Sequence, residues 1–145
     1  MSDVSHRRGD IAGHPDATEM RERYARVLQT RGVTAVEELV ILAGVYAAIS
    51  PWVVHFSAAM PTLAITNLVV GIALAVLGLC MSMAPERSQD LNFVVLLLGA
   101  WLIVAPWVAA RNPDTGTILS NVITGACVCL FSLTAGGLIM SKRRT

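Results

Sequence analysis

Ile49-Ser50-Pro51-Trp52-Val53 and Val104-Ala105-Pro106-Trp107-Val108 each close an apolar run of about 20 residues, the length needed to cross a bilayer. Superimposing the two Pro-Trp pairs places Val40 on Val95, Leu42 on Leu97, Gly44 on Gly99 and Tyr46 on Trp101. The match continues into the runs that follow. Asn67-Leu68-Val69-Val70-Gly71 falls on Asn121-Val122-Ile123-Thr124-Gly125, and Leu79 on Leu133. The offset is 55 positions at Pro-Trp and 54 at Asn-Gly, so the connection is one residue shorter in the second copy. A two-helix unit is written twice. Both copies run in the same direction, which predicts a pseudo-twofold axis along the membrane normal.

Working outward, four apolar blocks cover about 34–54, 62–84, 91–110 and 117–140. Hydrocarbon offers backbone groups no water to bond, so each block is predicted to be a helix. The expected fold is an all-α membrane protein of four transmembrane helices, built as two parallel two-helix repeats. The first repeat is placed at 34–84 and the second at 91–140, with a basic tail at 141–145. Residues 1–33 form a tail with a short amphipathic helix, placed on the cytoplasmic side. Composition agrees: the 145 residues are 54% hydrophobic and 14% charged, against about 25% charged in a soluble domain. A net charge of +1, with no basic stripe interleaved with aromatics, excludes nucleic acid as an expected partner.

The amphipathic helix is predicted over 16–31. Asp16 is the expected N-cap, Ala17, Met20, Tyr24, Val27 and Leu28 its apolar face, and Gly32 its stop. The face fits a partner, an anionic lipid surface met through Arg21, Arg23, Arg26 and Arg31, or the protein's own loops. Residues 1–14 read as a disordered tail. No apolar segment near Met1 resembles a signal peptide, so the first block is expected to act as an uncleaved anchor.

Lys and Arg set the orientation. Six lie before the first block, one at Arg87 and three in Lys142, Arg143 and Arg144; the other two connections hold only Arg111. Both termini and the 85–90 loop are therefore expected in the cytoplasm, at a cell membrane, with both Pro-Trp phrases at the outer face. Proline lacks an N–H and clashes with the carbonyl one turn back, so Pro51 and Pro106 are expected to end or kink their helices. Trp52 and Trp107 then anchor the interface, or together form an aromatic platform. Gly44, Gly99, Gly71 and Gly125 are expected to let helices approach closely. Asn67 and Asn121 are buried amides that need partners. They meet each other, cap carbonyls freed near the prolines, or contact a substrate.

The phrase, its position at the end of the first helix, and its repetition resemble the SPW repeat family of small prokaryotic membrane proteins. Ser50-Pro51-Trp52 matches literally; the second copy has Ala105 in place of the serine. The resemblance spans about 35–140. It implies a two-repeat membrane fold and no particular reaction.

Glu37 and Glu38 are read as opening the first span, where acidic residues suit a helix N-terminus. No ionisable residue is expected deep in a span, which argues against a pump or ion-coupled transporter. Cys80, Cys127 and Cys129 are odd in number and lie in apolar blocks, which predicts no disulfide framework. Cys127 and Cys129 project about 200° apart on a helix and cannot share one ion. No catalytic constellation, metal site or cofactor motif is present, so neither an enzyme nor a cofactor is expected. The expected function is a structural or accessory component of the membrane. It would act through contacts with the bilayer, a second copy of the chain or another membrane protein. The alternative is a small oligomeric transporter or channel for a neutral solute.

Overall fold

The computed structural model describes residues 15–144, and the predicted tail at 1–14 lies outside the described residues. All the regular structure described is helical: α1 (Pro15–Val53), α2 (Pro61–Met83), a 3₁₀ turn (Pro85–Arg87), α3 (Ser88–Ala109) and α4 (Thr115–Arg144). Each of the four helices contains a stretch long and apolar enough to cross a membrane. Contacts divide the chain into two units, Met1–Gly32 and Val33–Thr145.

Within the first unit, Arg23 and Glu19 pair at 2.7 Å on exposed side chains, and Met20, Tyr24, Val27 and Leu28 are exposed. Two local expectations fail here. The helix begins at Pro15, which puts Asp16 inside the first turn, and it does not stop at Gly32. Glycine inside a helix costs only about 1 kcal/mol relative to alanine. Without a left-handed backbone at Gly32 there is no cap to end the helix.

In the second unit, Val40, Ala47, Val70, Leu74, Met81, Val95, Leu102 and Val128 form the main core, and Phe56, Leu63, Ala64 and Ala105 a smaller one beside the Pro-Trp ends. The hairpin α1–α2 closes at glycine. A Cβ added to Gly44 would stand 2.6 Å from the Ala75 nitrogen and 2.7 Å from the Gly71 oxygen. The hairpin α3–α4 repeats the arrangement: a Cβ on Gly125 would stand 2.6 Å from the Gly99 oxygen and 3.0 Å from the Ile103 nitrogen. With no hydrophobic drive between helices in lipid, backbone proximity supplies the packing energy.

Pro51 and Pro106 are fully buried and lie in the last turn of their helices, which end two and three residues later. They terminate rather than kink. After α1, His55 takes φ 64°, the left-handed turn that redirects the chain. Asp114 caps α4, its Oδ2 accepting from the backbone N–H groups of Gly116 (3.1 Å) and Thr117 (3.3 Å).

Candidate functional site: a polar axis between the repeats

The two repeats are joined by their amides. Asn67 Nδ2 donates to Asn121 Oδ1 at 2.7 Å, and Asn121 Nδ2 donates to Asn67 Oδ1 at 3.2 Å. Such an exchange is what residues related by a twofold axis make. The side chains are shut from solvent, at 0% and 2% exposure. Asn67 has a further acceptor in Ser50, whose Oγ lies 3.3 Å away and itself donates to the Ala47 carbonyl at 2.9 Å. The Ser-Pro-Trp serine of the first repeat is thus tied to the amide pair, and Ala105 offers no such hydroxyl in the second. Trp52 and Trp107 point outward, 54% and 57% exposed. They are not part of the polar axis.

Three polar clusters escape a reading based on the second-helix amides alone. Asn92, on α3, donates to the Ser132 carbonyl at 2.9 Å and accepts from Ser132 Oγ at its own carbonyl (2.8 Å) and at Oδ1 (2.9 Å). Glu37 occupies the matching position of the first repeat. It does not open a helix; it lies well inside α1 and is only 4% exposed. Ser82 Oγ donates to its Oε2 at 3.3 Å and Ser88 Oγ to its Oε1 at 3.2 Å. Tyr46 Oη and Ser120 Oγ meet at 3.2 Å between α1 and α4. They border an open groove of about 370 Å³, otherwise walled mainly by apolar side chains such as Leu42, Ile123 and Phe131. The register between Glu37 and Asn92 is the signal that would have found the first two.

Chemically, the axis holds carboxamides and hydroxyls bonded to one another. No group of three or more His, Cys, Asp or Glu able to hold a metal occurs among the described residues. The cysteines are free.

No curated protein and no solved structure matches the chain. The family model for the SPW repeat domain matches residues 34–135. That stretch covers most of both hairpins and the whole amide axis, and the chain belongs to the SPW repeat family.

Proposed function

We propose that the protein is a non-catalytic structural or accessory component of a cell membrane. On this reading the paired repeats are a fixed frame, and the outer helix faces make the functional contacts with lipid, a second copy or another membrane protein. The reciprocal Asn67–Asn121 pair carries the reading. The amides central to the bundle are spent on each other, and Leu63, Leu74, Leu102 and Val128 are fully buried in the same bundle. A solute-contacting role needs polar groups left free to exchange partners. The proposed orientation puts both termini in the cytoplasm, supported by the Lys and Arg distribution.

Two experiments test this. Purification in mild detergent should return an oligomer or a complex with a second membrane protein; a strict monomer without companions contradicts it. A reporter fused after Thr145 should remain cytoplasmic, and an exported reporter reverses the orientation. A neutral-solute channel would have to be formed between copies, and solute flux through liposomes holding the purified protein would favour it.

A further inference from the structure

The two repeats handle one position in opposite ways, and the difference points to a ligand. In the second repeat Asn92 and Ser132 form a neutral network with contacts of 2.8–2.9 Å. In the first repeat the same position is Glu37, a carboxylate with hydroxyls standing off at 3.2 and 3.3 Å, long for an O–H···O bond, which is commonly about 2.7–2.8 Å. Glu37 makes no ion pair among the described residues. A carboxylate buried without a compensating charge is costly, and hydroxyl bonds offset only part of that cost.

The oxygens converge from three elements. Glu37 Oε1 and Oε2 come from α1, Ser82 Oγ from the end of α2, and Ser88 Oγ from the start of α3. Ser82 Oγ also donates to the Gly78 carbonyl one turn back on its own helix, at 3.2 Å. Oxygens that hold a hard cation at about 2.3–2.6 Å stand roughly 3.3–3.7 Å from one another in an octahedral shell. The spacing here is close to that range. One carboxylate balances one positive charge, whereas a divalent ion would leave a buried excess. The cluster adjoins the 84–87 connection, at the end of the bundle away from Pro51 and Pro106. We infer that Glu37, Ser82 and Ser88 form a binding site for a hard monovalent cation, with sodium as the probe. An ion there would join α1 and α2 to the start of the second repeat.

The test is thermal unfolding of the full chain in detergent at fixed pH, in sodium chloride or choline chloride of equal ionic strength. Sodium should raise the unfolding temperature of the wild type saturably by a few degrees. Glu37→Gln should abolish the rise and Ser88→Ala should weaken it. Should Glu37→Gln fail to fold, sodium NMR line-broadening by the wild type, compared with Ser88→Ala, reports binding directly. Equal stability in the two salts overturns the inference, as does a sodium effect undiminished in Glu37→Gln.

Discussion

At position 105 the second repeat carries a methyl where the first carries a hydroxyl, and the amide axis registers the difference. Asn67 uses its Nδ2 for both Asn121 and Ser50, while among the described residues the Asn121 side chain bonds only to Asn67. Ala105→Ser would offer Asn121 the acceptor that Ser50 offers Asn67. Hydrogen bonds between membrane helices average about 0.6 kcal/mol, so unfolding in detergent should show a gain of about that size. A loss would mean that the repeat symmetry does not extend to this residue. Asp114 is a second single-residue lever. The Thr117 hydroxyl holds its carboxyl below the usual 3.8, against an opposing effect of desolvation and with smaller help from backbone N–H groups. A carboxyl whose folded pKa is depressed stabilises the fold above its unfolded value, and that stability is lost as pH falls through the folded one. Asp114→Asn keeps a capping side chain and removes the titration. The acid loss of stability below pH 3.8 should therefore be shallower in Asp114→Asn than in the wild type when melting is followed across pH; equal slopes would refute the cap's contribution.

Among the elements, helix contact is decided at glycine. A Cβ at Gly71 would run into the Ala48 nitrogen and stand 2.5 Å from the Gly44 oxygen, all backbone that cannot swing aside. Gly71→Ala should force α1 and α2 apart and cost about 1–3 kcal/mol, as overpacking does. Gly137, on the same kind of helix, has nothing within 4 Å of an added Cβ. Gly137→Ala should be neutral or gain up to about 1 kcal/mol from helix propensity. Equal effects of the two changes in a detergent melt would deny that close approach is what Gly71 provides. These contacts were legible in the sequence because Gly44 and Gly71 recur as Gly99 and Gly125 in register. The continuation of α1 through Gly32 was not. Gly32 has the composition of a stop, but a stop needs a left-handed cap, and residue type alone does not show whether one forms. Glu37 was misread for a related reason. Its burial depends on Ser88 reaching it from the third helix, and an acidic residue beside an apolar run looks the same whether water or another helix covers it.

At the scale of the whole unit Val33–Thr145, two hairpins face each other through the Asn67 and Asn121 amides. Repetition, four helices and the apolar faces follow from composition and spacing, since bilayer thickness and unsatisfied backbone leave few alternatives. The asymmetries between the copies carry what is specific to this chain: Ser50 against Ala105, and Glu37 against Asn92. Superimposing the repeats shows the first in the sequence itself, while the second takes its meaning from the partners, Ser82 and Ser88 for Glu37 and Ser132 for Asn92. The central claim is that Asn67 and Asn121 clasp the two repeats to one another, and a double-mutant cycle tests it most directly. Asn67→Ala, Asn121→Ala and the double variant are unfolded in detergent under one set of conditions. The account predicts that each single change leaves a buried amide unpaired, that the double change costs less than the sum of the two, and that the coupling is about 0.5–2 kcal/mol. Additive losses, with no coupling between the two positions, would contradict it.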